Sequence, residues 1–128
     1  MLERDRGDFA AAEALYREAL PIVQRTLGRQ HWRTARLMGN LAYLRTLEGR
    51  LDEAEALLRE ATAIVRAGTG GDRSLEAGLK IETARIHLAR HEAAAAEPLL
   101  RDAIAGLQRS YPAGAGESRR RRASSATP

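Results

Sequence analysis

At 128 residues the chain has room for one ordinary domain or for a few units of a repeat array. Apolar residues at 44% allow a packed core, whereas 30% charged residues and the lack of any apolar run near the roughly 20 residues of a bilayer span exclude a helical membrane protein. With no cysteine there is no disulfide framework and no thiolate metal site, and the formal charge of +4 equals that of Arg119–Arg122, so the body of the chain is neutral.

Alanine and leucine dominate the apolar residues, aromatics are 4%, and all but one of the 21 basic residues are arginine. Ala, Leu, Arg and Glu favour helices, whereas strands are rich in β-branched and aromatic side chains. The arginine bias resembles that of GC-rich bacterial genomes. Met1 to Arg6 place no apolar stretch behind a basic one, so a secretory signal is not expected and a cytoplasmic location is.

Taken in chain order, the pattern predicts helices over about 8–27, 31–48, 52–67, 74–90 and 93–110, followed by a basic tail. Asp8 and Asp52 stand near the starts of the first and third, where an acidic side chain caps free N–H groups. Gly49 falls where a helix ends in a tight turn, and Gly68 to Gly71 form the clearest loop. The elements repeat. Shifting the chain by 42 residues aligns Ala12 with Ala54 and Ala96, and Glu13 with Glu55 and Glu97. Leu15 then meets Leu57 and Leu99, Arg17 meets Arg59 and Arg101, and Ala19 meets Ala61 and Ala103. Between these blocks Ala35, Leu37, Ala42 and Leu44 map onto Ala77, Leu79, Ala84 and Ile86. Each unit is therefore a hairpin of two helices, A and B. One hairpin cannot bury its apolar face alone, so neighbours must stack into a solenoid.

These residues resemble the tetratricopeptide-repeat family, in the longer-period variety found in kinesin light chains and many bacterial proteins. The turn-and-helix signature matches at Gly7, Phe9 and Ala12, and again at Gly49, Leu51 and Ala54. The helix-A signature matches at Leu27, Gly28, His31 and Ala35, then Asn40, Leu41 and Ala42. Trp32 replaces the usual proline, Arg45 and His87 stand where many repeats have an aromatic, and His91 and Glu82 replace the glycine and asparagine of the third unit. The resemblance implies an all-α α-solenoid of antiparallel helix hairpins, about five helices or two and a half units. Its parts are a partial first repeat over 1–28 (a helix B), units over 29–70 and 71–112, and a disordered Arg/Ser-rich tail over 113–128. Both ends look incomplete, as in a fragment of a longer array. The first helix B then exposes an apolar face including Phe9, Leu15 and Ile22, to be covered by upstream sequence or by self-association.

Function in such arrays is expected on the concave face lined by the A helices. Arg36, Asn40, Tyr43 and Leu47 form one stripe at helical spacing, and Gly78, Glu82, Arg85 and Ala89 form its counterpart. The resemblance implies a protein–protein interaction module holding a peptide or helix of a partner there, with Asn40 on the ligand backbone. Gly78 and Glu82 occupy slots where a clamp for a terminal carboxylate needs cations, so that use is not expected. His87 and His91, four apart, lack a third ligand, no nucleophile elbow or phosphate loop is present, and recurrence of Glu13, Glu55 and Glu97 by register marks a structural role. No enzyme, cofactor or metal is expected. Two other readings remain: a non-catalytic part of a larger bacterial signalling protein such as a serine/threonine kinase or regulator, and weak, sequence-blind attraction of nucleic acid or anionic surfaces to the Arg119–Arg122 tail.

Overall fold

A computed structural model describes residues 3–68 and 73–110 of the chain, with side chains from 7 to 68 and 74 to 109. The expected tail, with Arg119–Arg122, and most of the loop after Gly68 lie outside the described residues. Five helices follow in order: α1 (Glu3–Leu27), α2 (Trp32–Leu47), α3 (Leu51–Arg66), α4 (Arg73–Ala89) and α5 (Ala93–Ser110). Among the described residues there is no strand, and no helix is long and apolar enough to cross a membrane.

The turns are set by backbone chemistry. Gly49 ends α2 with φ +80°, a left-handed conformation that costs glycine nothing. The next N–H, that of Arg50, reaches back 2.8 Å to the Arg45 carbonyl and closes the helix end. One unit later His91 takes the same turn with φ +62°, and the Glu92 N–H reaches the His87 carbonyl at the same 2.8 Å. The turn is therefore retained without its glycine. At the start of α2, His31 is the N-cap and its Nδ1 accepts the Arg33 N–H at 3.0 Å. Thr34 Oγ1 ties this turn down by donating to the Gly28 carbonyl at 2.8 Å. Helices α1 and α5 run through Pro21 and Pro98. Both prolines are exposed, which leaves the carbonyls they deprive of a donor on the water side.

Two expectations about helix starts are corrected. Gly7 and Asp8 lie inside α1, which begins at Glu3, so Gly7 is no turn glycine and Asp8 no cap. A turn at that register position is held elsewhere by the hairpin packed around it, as at Gly49. Without such packing the helix-favouring residues before Gly7 simply extend α1. Asp52 sits in the first turn of α3, whose N-cap is Arg50 with no side-chain cap. It suits the helix dipole there and pairs with Arg90 Nη2 at 2.6 Å.

The core lies where α2, α3 and α4 meet. Ala35, Met38 and Ala42 of α2 are buried with Ala54, Leu58, Ala61 and Ile64 of α3 and with Leu79 and Ile86 of α4. The fixed alanines let helix axes approach, and the larger residues fill the space between them. Burying a residue such as Leu58 stabilises by about 2 kcal/mol. Helices α2 and α3 form one hairpin, α4 and α5 the next, and α1 packs on α2. The A helices α2 and α4 touch directly at Gly39, where an added Cβ would stand 2.9 Å from Leu79 Cδ2.

Candidate interaction groove

The A-helix stripes converge. A cavity of about 1150 Å³ is lined by Arg36, Asn40 and Tyr43 of α2 and by Gly78, Glu82 and Arg85 of α4. Six of the eight stripe residues therefore border one space. The exceptions, Leu47 and Ala89, are exposed but outside the lining. Each is the last residue of its A helix, one turn past Tyr43 or Arg85, and the cavity ends before it.

The groove's polar groups are partly committed to one another. The Arg85 guanidinium stands 5.6 Å from the centre of the Tyr43 ring, a cation–π contact that bridges α4 to α2. Its Nε is 3.4 Å from Glu82 Oε1. The other carboxyl oxygen of Glu82, Oε2, is buried without a hydrogen-bond partner. Burial pushes the Glu82 carboxyl above the usual carboxylate range, against the opposing pull of Arg85. An orphan acceptor of this kind costs free energy until a donor reaches it.

Spacing on the A helices did not reveal the third wall. Asp8, Phe9, Ala12 and Tyr16 of α1 line the cavity too, with Trp32 at the start of α2. Trp32 stacks on His31 at 5.7 Å between ring centres and carries Arg33 over its face at 5.2 Å. The signal was present in the 42-residue register, since Ala12 and Tyr16 align with Ala54 and Leu58, which sit under α2. Among the described residues no helix covers the α1 pair in that way. Of the apolar face expected on α1, Leu15 and Ile22 are exposed, at 66% and 49%, whereas Phe9 is half-buried in the cavity wall.

The repeated glutamates act as struts between units. Glu13 on α1 is buried, and its Oε1 lies 2.9 Å from Arg45 Nη1, 3.1 Å from Arg17 Nη2 and 3.4 Å from Arg50 Nη1. Arg45, also buried, reaches Glu53 Oε2 at 3.0 Å, so the charge that replaces an aromatic joins α1, α2 and α3. A hydrogen bond from the Glu48 carboxyl holds Glu13 below the ordinary carboxylate range, with burial opposing and the arginines assisting; the same bond pushes Glu48 up. One unit on, Glu55 pairs with Arg90 and Arg59. Its carboxyl is held low, first by the Arg90 hydrogen bond. Glu97, on α5, has Arg101 of its own helix. His87 Nδ1 lies 3.3 Å from Glu92 Oε1 while His91 occupies the turn, and among the described residues no three His, Cys, Asp or Glu side chains gather as a metal site would require.

Comparison with curated proteins gives no match. A family model described as Tetratricopeptide repeat matches residues 1–67, just over half of the chain and the stretch that holds α1, α2 and α3. With five stacked helices, a 42-residue register and an open A-helix groove, this chain belongs to the tetratricopeptide-repeat family, whose repeats generally mediate protein–protein interaction.

Proposed function

We propose that the chain is a protein–protein interaction module that holds a peptide or helix of a partner in the groove between α2 and α4. The observation that carries this reading is the convergence of Arg36, Asn40, Tyr43, Glu82 and Arg85 on one cavity of about 1150 Å³. Asn40 offers both a donor and acceptor to a ligand backbone, and Arg36 a cation at the rim. The Glu82 carboxyl in the cavity wall disfavours an anionic terminus there. The reading treats residues 1–28 as a helix B, 29–70 and 71–112 as two repeat units, and 113–128 as a tail outside the working surface. It assigns no catalytic role to any residue.

The test selects peptides from a random library on the full chain and measures their affinity for wild type and for an Asn40→Ala/Tyr43→Ala/Arg85→Ala variant. All three sites lie on exposed helix surface, so the variant keeps its fold. Affinity is expected to fall at least about tenfold. Equal affinity for both proteins would contradict the reading.

A further inference from the structure

The arginines divide by their place in the fold. Those at the turns from an A helix to a B helix, Arg45, Arg50 and Arg90, are all ion-paired. Among the described residues, Arg25, Arg29, Arg33, Arg36, Arg66 and Arg109 form no ion pair, and all six are exposed. They belong to the opposite edge, where B helices end and A helices begin. Arg25, Arg66 and Arg109 stand in the last turns of α1, α3 and α5, Arg29 in the turn before α2, and Arg33 and Arg36 at the start of α2. The corner between α1 and α2 holds four of the six, and no acidic residue occurs between Glu18 and Glu48. A neutral body thus carries a strongly positive corner.

Stability does not ask for this arrangement. Arg25 suits the C-terminal dipole of α1, but Arg33 stands in the first turn of α2, where the positive end of the dipole disfavours a cation and no acidic residue offsets it. Its guanidinium is held over the Trp32 ring at 5.2 Å, and that ring is stacked on His31. We propose that this corner, through Arg25, Arg29 and Arg33, binds the phosphate backbone of double-stranded nucleic acid without regard to sequence. Each free guanidinium presents a planar fork of donors that matches phosphate oxygens. Because His31 and Arg33 already engage the Trp32 ring, the corner offers unpaired bases no open stacking platform, which favours a duplex over a single strand. Between Gln24 and Arg36 one large apolar side chain is exposed, Leu27, and protein interfaces anchor on buried apolar and aromatic groups, which favours phosphate over an acidic protein segment. None of the three arginines lines the groove, so this inference stands apart from the peptide reading.

The probe is a short fluorescein-labelled DNA duplex of mixed sequence, with an RNA duplex of the same sequence in parallel, and fluorescence anisotropy with the full chain is the readout. The duplex bound more tightly identifies the nucleic acid, and a shuffled sequence is expected to bind equally. Arg25→Ala/Arg29→Ala/Arg33→Ala is expected to weaken binding at least about tenfold at about 50 mM salt, and to reduce the slope of log affinity against log salt by about 2 to 3. Arg25→Lys/Arg29→Lys/Arg33→Lys keeps the charge and is expected to keep the slope. With Arg119–Arg122 replaced by alanine, the chain is expected still to bind and the corner substitutions still to lower the slope. Loss of all binding on the tail replacement alone overturns the proposal, as does a slope that the alanine variant leaves unchanged or that the lysine variant loses equally. A single strand or polyglutamate bound more tightly than either duplex overturns it too, by giving the surface to unpaired bases or to acidic protein.

Discussion

Glu13, Glu55 and Glu97 share one register position and one i+4 arginine, and they end in three environments. Glu13 is buried against Arg45, whereas the Glu97 side chain is 62% exposed. Removing Glu13 strands part of a buried cation, so Glu13→Ala is expected to cost about 2 kcal/mol in chemical denaturation. Glu97→Ala is expected to change stability by no more than about 0.5 kcal/mol. Equal effects would show that the recurrence reflects the helix surface and not the junction between units. His91 offers a second test, since it holds a left-handed turn that Gly49 holds at no steric cost. His91→Gly is expected to raise stability by about 0.5–1 kcal/mol, read as an upward shift of the thermal midpoint. The sequence showed that Arg45 had displaced an aromatic, but not that it was buried. Its partners Glu13 and Glu53 lie on the helices before and after its own, and only folding brings them together.

At the scale of the element, helix positions were legible because each unit repeats the same alanine and leucine spacing. The bounds of α2 to α5 fall within a residue or so of those expected. The start of α1 was not legible: register identifies equivalent positions, but the turn at Gly49 also needs its packed hairpin. The link between units carries a pH signature. The Glu55 carboxyl is held below its ordinary value of 4.5 by Arg90 of the next hairpin. A carboxyl lowered on folding stabilises fully above the unfolded value and loses that contribution as pH falls through the folded one. Glu55→Gln is therefore expected to be less stable than wild type at pH 7. The gap between the two thermal midpoints is expected to close as the pH is taken below about 4. A gap that stays constant down to pH 2 would remove Glu55 from the junction.

For the whole molecule, the 3–4 spacing of α2 and α4 made the stripe readable, and Arg36, Asn40, Tyr43, Glu82 and Arg85 border one cavity. The α1 wall of the groove was not readable, because Ala12 and Tyr16 sit at the register positions of Ala54 and Leu58, which are buried in the next unit. Leu47 and Ala89 lie outside the lining because spacing gives the stripe but not where the cavity ends. The commitment of Arg85 to Tyr43 and Glu82 is likewise a product of stacking, and it leaves Arg36, Asn40 and Asp8 among the exposed polar groups of the lining. Chemical-shift mapping of the isotope-labelled chain, titrated with the tightest peptide selected on it, tests that assignment most directly. The account predicts the largest changes at Arg36, Asn40, Tyr43, Glu82 and Arg85. Changes confined to the exposed outer face of α3, at Arg59, Glu60 and Ala63, would contradict it.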